Sequence, residues 1–190
     1  MSDAAPARLP AAARRAGILA AAENEFATQG LASGRLEAIA AQVGITHPRI
    51  VQMFGSKRSL FVEVVDLAYD KVEAAFAAAE PTLISLGEAY RRLLRREPSV
   101  GLVMLQGFAA SADDTVREAV RRRHLHLQRS IARSAGADAS EVRTFLATGL
   151  VMTISTVLDL PGQRADAAWS AWILDLVVEH KEPATPRASV

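Results

Sequence analysis

Residues 36–61 read LEAIAAQVGITHPRIVQMFGSKRSLF, and their spacing decides how the rest of the chain is understood. Ile39, Ala40, Val43, Gly44, Ile45, Ile50 and Met53 fall at the offsets that let two short helices meet across a tight turn. Ala40 is small where the second helix crosses, Gly44 can take the left-handed conformation of the turn, and Ile45 and Ile50 wedge between the helices. An ordinary helical hairpin can imitate this pattern, but seven agreeing positions in fifteen residues favour a helix-turn-helix.

The second helix, Thr46 to Phe54, suits a reading role. Thr46 is a capping residue type, and a capped helix start carries amides and positive partial charge where a phosphate can dock. Pro48 sits in the first turn, where its missing N–H costs little. With Ile45, Ile50, Met53 and Phe54 turned inward, the outward set is Thr46, His47, Arg49, Val51 and Gln52. Arg49 matches guanine O6 and N7, Gln52 matches adenine, and Val51 can touch a thymine methyl, while Thr46 and His47 suit backbone oxygens.

Around this motif the chain reads as all helix. Half of its 190 residues are apolar, aromatics make up 5%, and no sustained two-residue alternation marks a strand. Breaks at Gly30, Gly44, Gly55, Pro81, Pro98, the SADD segment, Gly136 and Pro161 with Gly162 cut it into about nine helices. Pro10 to Thr28 carries Ile18, Ala22 and Phe26 on one stripe and is expected to stop at Gly30; Leu36 to Val43 is the next helix. Helices this short are marginal in water, so they must pack on each other and on the long helix that starts near Ser56.

Composition narrows the function. Without cysteine there is no disulfide, no thiolate metal site and no cysteine nucleophile. The N-terminus shows no signal-peptide pattern, and no uncharged run is longer than the fifteen residues of Thr144 to Leu158, short of the roughly 20 residues of a spanning helix. A cytoplasmic protein is expected. Met1 to Leu60 holds seven Arg/Lys against four Asp/Glu and the remainder fifteen against seventeen, so the front segment is the one suited to an anionic partner. No nucleotide-binding glycine motif, metal-ligand spacing or nucleophile–base pair stands out, so neither an enzyme nor a cofactor is expected.

The span from Arg14 to Phe61, with ILAAAENEFATQG, LEAIAAQVGI and FGSKRSLF in that order, resembles the N-terminal DNA-binding domain of the TetR family of transcriptional regulators. The resemblance implies an all-α fold with a three-helix DNA-binding domain at 1–55 and then a larger helical effector-binding and dimerisation domain at 56–190; the ends, rich in Ala, Pro and Ser with nothing large to bury, are expected to form a flexible arm at 1–9 and a disordered tail at 182–190. It also implies that the third helix enters the major groove and that the start of the fourth contacts phosphate, where Lys57 matches the family's lysine. The aromatic usual in the family at the position of Val51 is missing, often with another at Met53, and Gly34 and Arg35 stand where threonine or serine is common. A tyrosine contact to phosphate is therefore lost, and Arg35, with Arg8, Arg14 and Arg15 in an arm, can supply charge instead.

In the second half, a helix without charge on any face, as in Thr144 to Leu158, must be covered on all sides. Together with Ala165 to Glu179, which carries Trp169, Trp172, Ile173 and Leu176, it is the expected homodimer interface, with burial inside a monomer as the alternative. Two recognition helices related by symmetry imply a palindromic operator. Candidate effector contacts are Met104, Phe108, His124 and Met152, with Gln106 beside them. His124 falls on the apolar stripe of Val116, Val120, Leu127 and Ile131, while His124 and His126 lie on different faces and cannot form a compact metal site. The basic runs RRLLRRE and VRRRHLHLQR read as solvated faces, Glu88 pairing with Arg91 and Arg92 and Glu118 with Arg121 and Arg122. The expected function is a DNA-binding repressor released by a small, largely apolar effector. A helical ligand-binding dimer without DNA affinity, or an enzyme whose site only the fold assembles, are the alternatives.

Overall fold

Gly30 bends the first helix. Its backbone lies at φ 67° and ψ −177°, a region reserved almost entirely for glycine, yet the helical turn resumes and runs on to Ser33. The stop expected there is thus a kink, and the Gly34 N–H closes the last turn by donating to the Gly30 carbonyl at 3.0 Å.

The structure, a computed structural model, describes residues 10–160. They form α1 (Ala11–Ser33), α2 (Leu36–Gln42), α3 (His47–Phe54), α4 (Lys57–Ala77), α5 (Leu83–Arg96), α6 (Pro98–Ala109), α7 (Asp114–Ala135) and α8 (Ala139–Val157). No strand occurs among the described residues. The arm at 1–9, the second dimer helix at 165–179 and the tail at 182–190 lie outside them.

Local chemistry explains most helix ends. Ser56, Thr82, Asp113 and Asp138 accept backbone N–H bonds at the starts of α4, α5, α7 and α8, and Asp138 completes a capping box with Glu141. Gly136 ends α7 in the left-handed conformation. Thr46 departs from expectation: it occupies the N-cap position of α3 with extended backbone, but its hydroxyl accepts no capping bond. Gly44 takes the positive φ, 66°, that the turn demands.

The stripe of Ile18, Ala22 and Phe26 is completely buried, and Phe26 meets Phe61 of α4 edge to face at 5.2 Å. Ile39, Ala40, Ile50 and Phe54 close the other side of this small core, with Ile45 and Met53 half-buried at its edge. The core continues without interruption along α4, through Val65, Ala68, Tyr69 and Val72, into the layer formed by α5 to α8.

α1 packs on α4 and α6 together, and a polar cluster lies in that junction. Glu23 is 6% exposed; Lys71 donates to both its carboxylate oxygens at 2.9 and 2.8 Å, and the Ser99 hydroxyl donates at 2.7 Å. The same ammonium reaches Glu97 at 3.0 Å. Burial pulls the Lys71 pKa down, but hydrogen bonds to the two carboxylates outweigh it and leave it raised; Glu97 is lowered, chiefly by its bond from Lys71.

Arg123 corrects the reading of its basic run as a solvated face. It turns inward, 19% exposed, to Asp70 at 2.6 Å, Glu73 at 3.3 Å and Asp66 at 3.8 Å on α4, and stacks over the Tyr69 ring. Arg121 and Arg92 keep to the surface and pair with Glu118 and Glu88 along their own helices, as expected.

Lys71→Met should therefore cost about 2 to 4 kcal/mol, because it strands the Glu23 carboxylate, and adding Glu23→Gln should restore most of the loss. Urea unfolding of the single and double variants checks this. Because the folded Glu97 pKa is depressed, its contribution is present above the unfolded value and lost as pH falls through the folded one; in Lys71→Met that part of the acid sensitivity should shrink.

Candidate nucleic-acid interface and the cavity behind it

α3 lies across α2 and against the start of α4, held by Ile50 and Phe54, which are 1% and 6% exposed. That anchoring leaves Thr46, Arg49, Val51 and Gln52 exposed on the opposite face and His47 half-exposed. Arg49 and Gln52 are partners in the free protein, the guanidinium donating to the Gln52 side-chain oxygen at 2.6 Å. His47 Nδ1 lies 3.1 Å from the Glu37 carboxylate.

A shallow depression beside α3 brings Arg35, His47 and Lys57 together, with Glu37 in the same wall. Lys57 donates to the carbonyls of Ala32 and Gly34 at 3.0 and 3.1 Å, so its ammonium is fixed over the end of α1. The Arg35 N–H donates to Glu25 at 2.9 Å, which pins the start of α2 while its side chain stays exposed. Gly34 is buried here: a Cβ would come within 2.7 Å of the Gly30 carbonyl and the Phe26 ring, so the threonine or serine common in the resembling family does not fit this path. Behind the reading face, Arg15 stacks over Phe54 at 4.8 Å and pairs with Glu63 of α4.

In the second half, α4 to α8 line a partly open cavity of about 260 Å³. Met104, Phe108 and His124 line it, together with Tyr90, Phe76, Phe145 and Thr153. Met152, named with the first three from sequence, faces instead a larger open cleft between α5 and α8. Gln106 also leaves the cavity and lies over Gly30 of α1. Sequence reading missed Tyr90 and Thr153, whose oxygens are 2.7 Å apart; Thr153 gives its hydrogen to the Gly149 carbonyl, so Tyr90 is the donor to Thr153. Burial raises the Tyr90 pKa. Burial also lowers the His124 pKa, which favours a neutral ring, and this ring meets Phe108 edge to face at 6.2 Å.

Residues 18–64 match the sequence model of the bacterial regulatory proteins of the tetR family. The matched segment runs from within α1 into α4. No curated protein matches the sequence. Among solved structures, a TetR-like transcriptional regulator from Rhodococcus sp. RHA1 is similar over 86% of this chain and 94% of its own, at 19% identity and a TM-score of 0.66. A second transcriptional regulator from Rhodococcus sp. Rha1 aligns over 86% and 96% at 16% identity and a TM-score of 0.64. The TetR family transcriptional regulator PfmR from Thermus thermophilus aligns over 83% and 97% at 23% identity and a TM-score of 0.57. At these identities the likeness establishes a shared fold, which extends well beyond the TetR-type domain.

Two negative findings apply to the described residues. No group of three or more His, Asp or Glu is placed to hold a metal ion, and no helix is long and apolar enough to cross a membrane.

α6 touches both the TetR-type domain and the cavity: Met104 and Phe108 face the cavity, while Gln106 covers Gly30 and Ser99 holds Glu23. A Cβ on Gly30 would lie 2.5 Å from the Gln106 oxygen. Gly30→Ala should cost about 1 to 3 kcal/mol, mostly from the positive φ. Gln106 is flexible and can move aside, so Gln106→Ala added to Gly30→Ala should recover only a minor part, which chemical denaturation of the three variants measures.

Proposed function

We propose that the chain is a sequence-specific DNA-binding transcriptional regulator that works as a symmetric homodimer and is released from its operator by a small molecule. The observation that carries this reading is the α3 face, where Arg49, Val51 and Gln52 stand outward from a helix anchored by Ile50 and Phe54 within a TetR-type domain. Arg49 and Gln52 read base edges, Val51 meets a methyl group, and Thr46, His47, Arg35 and Lys57 take backbone phosphates. Lys57 uses two of its three N–H groups on α1 carbonyls, which leaves one for phosphate and fixes where that phosphate sits. Residues 1–55 are the reading unit and the remainder the effector-binding and dimerisation unit, acting in the cytoplasm as a repressor and without enzymatic turnover.

The dimer is supported by α8. Leu150, Ile154 and Leu158, four residues apart, are 44%, 41% and 62% exposed, an apolar stripe on one side of a helix whose other side packs inward. Pairing of this stripe with its copy, together with residues 165–179, would set two α3 helices on successive major grooves of a palindrome, roughly 34 to 36 Å or a multiple apart. An effector that prefers one separation of the two helices shifts the population away from DNA.

Gel retardation with fragments selected from genomic DNA tests the reading. Arg49→Ala and Gln52→Ala should change which fragments are retained, whereas Lys57→Ala should weaken all of them and reduce the log–log salt slope by roughly 0.9. No retained fragment at low salt would favour the ligand-binding dimer without DNA affinity, a reading that the missing aromatic at position 51 keeps in play. Ile154→Glu should turn the dimer into a monomer by light scattering and abolish retardation at concentrations where the parent protein binds fully.

A further inference from the structure

Among the described residues, five buried side-chain atoms have no hydrogen-bond partner, and all five belong to α4 or α7: Asp66 Oδ1, the Tyr69 oxygen, Glu73 Oε1, Arg123 Nε and His124 Nδ1. Two of them form a near miss. Arg123 Nε and Asp66 Oδ1 stand 3.8 Å apart, too far for a hydrogen bond, and both are closed to water. The same guanidinium bonds to Asp70 at 2.6 Å and lies 3.3 Å from Glu73 Oε1 without satisfying it. Asp66, Asp70 and Glu73 follow one another at four and three residues on one stripe of α4, so three carboxylates compete for one cation.

The partner that Arg123 holds is the one that needs it less. The Asp70 side chain is 59% exposed, and water can take over its oxygens; that of Asp66 is 32% exposed, and its Oδ1 depends on a protein donor. Burial raises the Asp66 pKa, with Arg123 and Arg122 pulling against it, so from its present position the guanidinium does not offset the lost hydration. Closing the gap to hydrogen-bond length takes a movement of about 1 Å.

We propose that Arg123 is a two-position latch between α4 and α7, holding Asp70 in the arrangement described and forking onto Asp66 in a second, tighter one that leaves Asp70 to water. The guanidinium is stacked over the buried Tyr69 ring, so it reaches Asp66 by movement of the helix that carries it rather than by rotation alone. Val72 and Phe76 of α4 and His124, Leu127 and Ile131 of α7 line the cavity from the two sides of this seam, so closing the latch narrows the cavity. Any molecule that fills it, whatever its chemistry, therefore favours the open position. α7 is also tied to the start of α4: Asp113 caps α7 through Oδ1 and takes Arg58, the residue after Lys57, through Oδ2 at 2.7 Å. The latch deepens the regulator reading and rests on it for the effect on DNA, though not for the exchange of partners itself.

Nuclear magnetic resonance of the Arg123 Nε–H group tests the latch in the full-length protein with isotope-labelled arginine, the signal being identified by its loss in Arg123→Lys. In the parent protein the group should report two states in exchange. Asp70→Ala should leave the Asp66-bound state and Asp66→Leu the open one, with the Nε proton exchanging with water at least about tenfold faster in Asp66→Leu than in Asp70→Ala. Xenon under pressure, which enters apolar cavities, should drive the parent toward the Asp66→Leu spectrum. One state in the parent that neither substitution alters, or a spectrum that xenon leaves unchanged, would overturn the proposal. In gel retardation, Asp66→Leu and Asp70→Ala should change the affinity for a retained fragment in opposite directions, and changes in the same direction would sever the latch from DNA binding. DNA retained by a protein with a single Arg123 state defeats the latch alone; two states that answer to xenon in a protein that retains no DNA defeat the regulator reading alone.

Discussion

The burial of α1 between α4 and α6 is the constraint on which the rest of the structure depends. α2 and α3 are too short to hold themselves, and their inward residues close a core whose floor is the Ile18, Ala22 and Phe26 stripe. Whatever moves α1 moves the reading face. On its other side α1 is fixed by direction-dependent contacts: Glu23 accepts from Lys71 and Ser99, and Gly30 lets Gln106 approach the backbone. Hydrophobic contact alone would tolerate sliding, whereas a buried carboxylate with three donated bonds does not.

This arrangement gives α6 a particular role. It is a twelve-residue helix with one side in the α1 junction and the other in the cavity wall, and the two sides lie within a few residues of each other at Met104, Gln106 and Phe108. A molecule bound in the cavity, as proposed, would therefore act on α1 through rigid helix rather than through a loop. Its leverage is limited by its differential affinity for the two positions of α6, and each tenfold change in DNA affinity requires about 1.4 kcal/mol of that difference.

What was legible in the sequence was local. The α1 stripe, the positive φ at Gly44 and the outward set on α3 follow from local spacing and residue type, which backbone geometry ties to fixed directions. What stayed hidden depends on which distant element arrives opposite. Arg123 sits in a run of three arginines, and nothing in the run says which one meets Asp66, Asp70 and Glu73 of α4. Gln106 alternates with Met104 and Phe108, so one turn of helix sends two to the cavity and one to Gly30. Met152 and Thr153 are adjacent, and the difference of about 100° in helical direction put the cavity on the threonine's side. Thr46 has the right type for a cap, but its hydroxyl takes no capping bond, a choice that the residue type alone does not reveal.

The polar groups of the reading face are arranged to be exchanged rather than created on binding. Arg49 gives a hydrogen bond to Gln52, and His47 lies against Glu37, so neither face residue waits in a random rotamer. Holding long side chains near one another reduces the rotamer entropy that would be lost on contact with DNA. It also sets a threshold, because a base that cannot replace the Gln52 oxygen as acceptor for Arg49 leaves the protein better off unbound. Guanine, with two acceptors on its major-groove edge, can replace it, and an adenine N7 beside it can release the glutamine amide to pair in turn. The same logic applies at Lys57, whose two carbonyl bonds fix the ammonium before any phosphate arrives. The α3 face is thereby preorganised by the same end of α1 that α6 holds from behind, so a shift of α1 would misplace the proposed phosphate contact and the proposed base contacts together.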